Sequence, residues 1–188
     1  MKSYYLIFFL SFGGLTLQGQ ETIYKDCQVH FEGVDPVLKS QIKELSKEEL
    51  FIYTPDALKM MRLDFPLVEG SGNLARTSGY TFFELVLTVN SKRARNDYGY
   101  IEKGSMIKFF LLDGSSFYSN NLTNSLPKRS NDPNTTLYVA SCSIDKEELK
   151  MLSNSYVDKI AVVWSKGYEE YEIYAPDFFV NQLACLEP

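Results

Sequence analysis

The sequence predicts an α+β fold: a mostly antiparallel twisted sheet of six or seven strands, with N-terminal helices and a C-terminal helix packed on it. Three observations carry this expectation. The segments TFFELVLTV (81–89), SMIKFFLLDG (105–114) and VDKIAVVWS (157–165) are short apolar runs that place apolar residues on both faces of a strand. Aromatic residues make up 14% of the chain, with 13 Tyr and 13 Phe, a composition that suits strands. Helix-start signals stand before the first of these strands and after the last.

The chain opens on MKSYYLIFFLSFGGLTLQGQ (1–20), which reads as an export signal. Lys2 supplies a short positive region, Tyr4 to Leu10 are apolar, and Gly19 is a small residue suited to the position before a cut. Cleavage is expected near Gly19 or Gln20, leaving residues 21–188 as one domain in the periplasm or outside the cell. The apolar stretch is shorter than the roughly 20 residues that a spanning helix needs. No later segment is long and apolar enough either, so the mature chain is expected to hold no integral membrane segment.

Asp35-Pro36 is the first helix-start signal, because Asp accepts from free backbone N–H groups and Pro has no N–H to lose. Leu38, Ile42 and Leu45 follow at helical spacing, and Ser46 with Glu49 forms a capping-box pattern. Thr54-Pro55-Asp56 is another start. Residues 36–62 therefore read as two or three short helices, with an extended break at Phe51–Tyr53. Gly70, Gly72 and Gly79 mark a loop beyond them.

The three apolar runs come next. Each is apolar on both faces, which implies a sheet covered on both sides. Asp113-Gly114 is a hairpin turn that pairs 105–112 with 116–120. Residues 119–134 are rich in Ser, Asn, Thr and Pro and read as a long surface loop. TTLYVASCSI (135–144) is a fourth strand. Asp145 caps a short helix over 146–152, with Glu148 completing a capping box. Lys166-Gly167 turns the chain into a strand over 168–174, and Pro176-Asp177 opens the last helix.

Charge and chemistry narrow the function classes. The net charge is -5, and acidic chains lack the electrostatic footprint of nucleic-acid binding. Lys92-Arg93-Ala94-Arg95 is a local exception and reads as a solvated loop. His30 is the one histidine, which removes most metal and nucleophilic arrangements. Gly70-Ser71-Gly72 is a turn pattern rather than a nucleophile elbow, and no cofactor-binding motif is present. Glu170 and Glu172 share a strand face with Tyr174, opposite Glu169 and Tyr171. Such an acidic strand resists edge pairing.

Two tyrosine-rich segments remain, Asn96–Tyr100 and Tyr168–Tyr174. Aromatic faces beside carboxylates serve either sugar stacking or cross-strand pairing. The candidate ligand-binding residues are Tyr98, Tyr100, Tyr171 and Tyr174. The expected function is a non-enzymatic binding module for a glycan or an envelope component. A factor that docks a protein partner through its acidic surface is the alternative, and a two-carboxylate glycoside hydrolase comes third.

Of three cysteines, Cys27 and Cys185 lie in flanking segments, whereas Cys142 shares a strand face with Tyr138 and Ala140. A buried cysteine behaves as a small apolar residue, so the expected disulfide joins Cys27 to Cys185. Cys142 with Cys185 is the competing pairing.

The order of pieces resembles small exported proteins of unknown function from Gram-negative bacteria. The likeness rests on Ile101-Glu102-Lys103-Gly104 before the strand 105–112, the Asp113-Gly114 hairpin, and Asp145–Leu152 before the strand 157–164. The closing 168–174 strand and the cysteine-containing helix complete it. The resemblance implies no activity, substrate or catalytic residue.

Overall fold

The computed structural model describes residues 27–36, 39–60, 66–130, 132 and 134–186. The expected export signal lies outside the described residues. The elements are β1 (Val29–Val34), β2 (Gln41–Leu45), β3 (Glu48–Tyr53), α1 (Asp56–Met60), β4 (Val68–Thr77), β5 (Tyr80–Val89), α2 (Ala94–Asp97), β6 (Met106–Leu111), β7 (Ser116–Asn120), β8 (Lys128–Arg129), β9 (Thr136–Ile144), α3 (Lys146–Asn154), β10 (Val157–Trp164), β11 (Gly167–Glu172) and α4 (Phe178–Leu186). No helix among them is long and apolar enough to cross a membrane.

Sheet dominance and antiparallel pairing agree with the sequence, but the strands form two sheets rather than one. A seven-stranded sheet runs β1-β2-β4-β5-β9-β8, with β3 also paired to β4, and a four-stranded sheet runs β11-β10-β6-β7. Their edges meet on both sides. Asn121 bridges antiparallel to Cys142, and the Leu122 N–H donates to the Ser141 carbonyl at 2.7 Å. Opposite, the Tyr174 N–H donates to the Leu50 carbonyl at 2.9 Å. The strands thus follow a circuit, β3-β4-β5-β9-β7-β6-β10-β11, which returns to β3.

Strand alternation fills this circuit. In β5, Phe83, Leu85, Leu87 and Val89 are buried, while Phe82, Val86 and their neighbours on the other face are half-buried. The expected two-sided cover is therefore one complete face and one partial face. Near one end α4 packs inward: Phe179 lies 5.0 Å from Phe83 and 5.6 Å from Phe109 between ring centroids. Four residues along β5, level with Leu87, Tyr138 and Tyr98 each lie 5.0 Å from Trp164.

The helical reading fails over 41–50, which holds β2 and the first half of β3, while the expected extended break at Phe51–Tyr53 is the end of β3; residues 37–38 and 61–62 of that reading lie outside the described residues. Asp35 does not cap a helix: its N–H donates to the Ser40 carbonyl and its carbonyl accepts from Lys39, closing a hairpin with Lys39 at φ 55°. Ser46 is likewise held by the ladder, its N–H donating to Gln28. The helical spacing of Ile42 and Leu45 is local, and long-range pairing with β1 and β4 overrides it; Leu38, the first residue of that pattern, lies outside the described residues. Only the Thr54-Pro55-Asp56 start leads to a helix, α1.

Gly70 and Gly72 are not loop residues but lie inside β4. A Cβ at Gly70 would sit 2.2 Å from Phe51 Cζ, and one at Gly72 would sit 2.7 Å from Phe83 Cε2. These glycines mark close ring approach within a strand. Gly79, at φ 81°, does turn the chain between β4 and β5. The expected loop over 119–134 is stitched down by the Ile101–Ser125 bridge and by β8. The hairpin at Asp113-Gly114, the Asp145–Glu148 capping box and the final helix form where expected.

β2 and β3 are two halves of one bent strand along β4. At the bend, Leu74 finds no strand carbonyl and donates its N–H to Gln182 Oε1 of α4 at 2.8 Å. Gln182 Nε2 returns bonds to the Ser46 carbonyl and Glu48 Oε1, each at 3.1 Å. The buried amide thus acts as an inserted peptide group. Gln182→Leu should destabilise the protein by about 1–3 kcal/mol, because it strands a buried backbone donor. An unchanged urea midpoint would show that the amide adds nothing to the ladder.

Cys27 is bonded to Cys185, with Cα atoms 5.5 Å apart. Cys142 is free and buried, and burial pushes its thiol up to about 12. The competing Cys142–Cys185 pairing does not occur.

Candidate functional site

β3 and β11 flank the least complete part of the circuit. Antiparallel strands alternate residues that bond to one neighbour with residues that face the other. The Ile173 N–H goes to the Asp158 carbonyl of β10, while the Tyr174 N–H goes to the Leu50 carbonyl of β3. The same parity turns the backbone groups of Glu170 and Glu172 toward β3, and those of Leu50 and Ile52 toward β11. Beyond the Tyr174–Leu50 bond the strands separate.

Side chains span the gap beneath them. Phe51 stacks on Tyr171 at 4.5 Å and 4°, and Tyr53 meets Tyr171 edge-on at 5.4 Å. Above this aromatic floor lies a cleft of about 380 Å³, lined by Ile52, Tyr53, Asp56, Lys59, Glu170, Glu172 and Tyr174 among others. Tyr174 crosses it and donates its hydroxyl to the Ile52 carbonyl at 2.6 Å. Asp56 sits 3.3 Å from Lys59. Glu170 accepts from the Tyr168 hydroxyl at 2.8 Å.

Burial raises the Tyr53 phenol above its usual value, and the Glu169 and Asp56 carboxylates raise it further. Burial also raises Glu169, which shares the inward face of β11 with Tyr171. The cleft therefore offers exposed carboxylates, one ammonium and aromatic surface. Among the described residues, no three His, Cys, Asp or Glu side chains gather to hold a metal. His30 lies exposed on β1, away from the cleft.

The four candidate tyrosines divide. Tyr171 is 0% exposed and Tyr98 is 8% exposed, so both are core residues that offer no ring face to a ligand. Burial drives both phenols far above their usual range, with Tyr98 the next cause for Tyr171 and Glu169 for Tyr98. Their segments do meet: the Ser165 N–H donates to the Tyr100 carbonyl at 2.8 Å, and Ser165 Oγ accepts from the Tyr100 N–H at 3.1 Å. Tyr100 at that junction is 38% exposed but does not line the cleft. Tyr174 is 63% exposed and does line it.

The sequence placed Glu170, Glu172 and Tyr174 on one strand face but read the two glutamates as an acidic edge, and it did not bring Tyr53, Asp56 and Lys59 beside them. Nothing local in Tyr53–Lys59 announces a site, because those residues meet β11 only through the long-range circuit. No protein-family model, curated protein or solved structure matches this chain.

Proposed function

We propose that this protein is an exported, non-enzymatic binding module working in the periplasm or outside the cell, and that the cleft between β3 and β11 is its ligand site. One observation carries the reading. Tyr174 presents a largely exposed ring inside a concave, carboxylate-lined surface, yet its hydroxyl is pinned to Ile52. An aromatic face held in place before binding loses little entropy when a ligand stacks on it. The disulfide between Cys27 and Cys185 supports an oxidising compartment.

Tyr174→Ala should weaken ligand binding while costing no more than the one hydrogen bond, about 0.5–1.5 kcal/mol of stability. Glycan arrays and pull-downs from envelope extract, run on wild type and on this variant, check this. Equal capture by both proteins would remove the cleft from the function. Salt-sensitive capture of a protein would favour the protein-partner form of the module over the glycan form.

A further inference from the structure

The cleft is a gap between two strand edges, and its lining is electrically one-sided. Among the described residues, one backbone hydrogen bond joins β3 to β11, from Tyr174 to Leu50. Past that bond, β11 turns the backbone of Glu170 and Glu172 into the gap, while β3 offers the side of Ile52 that already accepts from Tyr174. The charged side chains of the lining are Asp56, Glu170 and Glu172 against Lys59 alone, and Lys59 is already 3.3 Å from Asp56. Resting on the reading of this cleft as the ligand site, we propose that its ligand is an extended, lysine- or arginine-rich segment of another protein, which adds as a strand along β11.

The geometry specifies both parts of that ligand. A strand edge is recognised by another strand through main-chain hydrogen bonds, with alternate side chains giving specificity. Glu170 and Glu172 are two residues apart on the outward face of β11. An added strand projects alternate side chains beside them at the same spacing, so a basic residue at every second position meets each carboxylate in turn. The same carboxylates repel acidic strands and a second copy of β11 itself, so they select as well as attract. Tyr53 and Tyr174 supply rings against which lysine or arginine stems lie. A neutral sugar would use the ring of Tyr174 but leave both the strand edge and the surplus negative charge unanswered.

The test uses the disulfide-bonded protein and two short synthetic peptides, one alternating Lys with Thr and one alternating Glu with Thr. Backbone amide spectra should shift at Ile52, Glu170 and Glu172 on addition of the Lys peptide only. Affinity should fall as salt is raised, and should drop at least about tenfold in the double variant Glu170→Lys/Glu172→Lys. Both glutamates are exposed, so the variant's unfolding midpoint, measured alongside, should stay close to wild type. Equal binding of both peptides, shifts centred elsewhere, or no binding of the Lys peptide overturns the basic-strand proposal. If a neutral oligosaccharide then shifts the same amides, the cleft stands as a ligand site with a different ligand. If neither probe disturbs the cleft, both readings fall.

Discussion

Tyr171→Ala is expected to cost about 3–5 kcal/mol of stability, the range for truncating a fully buried aromatic ring. The ring is 0% exposed. It stacks on Phe51 at 4.5 Å and takes Tyr53 edge-on at 5.4 Å. It cannot be relieved by collapse from the other side, because Phe51 is already pressed against the bare backbone of Gly70. Truncation therefore leaves a void under the β3–β11 gap, where one backbone bond holds the edges together. Urea unfolding measured beside Tyr174→Ala gives the contrast: two tyrosines three positions apart, one structural and one exposed. A Tyr171→Ala loss within about 0.5 kcal/mol of wild type would show that the ring does not support the core.

Removing the disulfide should have the second large effect. The bond between Cys27 and Cys185 spans 158 residues of sequence. Cys27→Ser with Cys185→Ser should lower stability by about 2–5 kcal/mol, the usual loss for a native bridge. The structure adds a local reason, since Cys185 follows Gln182 by one helical turn on α4. Freeing the helix end loosens the amide that completes the β2–β3 ladder. The double serine variant, compared in urea with the wild type before and after reduction, checks this. Identical midpoints for reduced and oxidised wild type would contradict it.

The parts of the fold legible in the sequence were those in which local signals and long-range pairing agree. Phe83, Leu85, Leu87 and Val89 share one face of β5 because the pleat alternates side chains and that face meets the core, and Asp145 with Glu148 caps a helix within four residues. The helical reading of residues 41–50 failed for the opposite reason. Their apolar spacing and capping residues suit a helix locally, but hydrogen bonds to β1 and β4, invisible at that range, decide the outcome. Glycine misled in the same way: Gly70 and Gly72 resemble a loop until the rings of Phe51 and Phe83 are placed beside them. At the candidate site, alternation correctly put Glu170, Glu172 and Tyr174 on one face and Tyr171 on the other. Which face would be buried depended on β3, some 120 residues earlier along the chain.

The inserted amide of Gln182 has a consequence in time. It serves Leu74 across 108 residues and Ser46 across 136 residues. A chain made from its amino end therefore displays the β2–β3 bend, with an unmet amide, until α4 has emerged. The early strands can pair in part, but their junction cannot close while the later part of the chain is still being delivered. Such late closure leaves the β2–β3 junction incompletely paired until the end of the chain is available. The final helix, once present, brings the missing amide and Cys185 to the same corner, so ladder completion and covalent locking become one event.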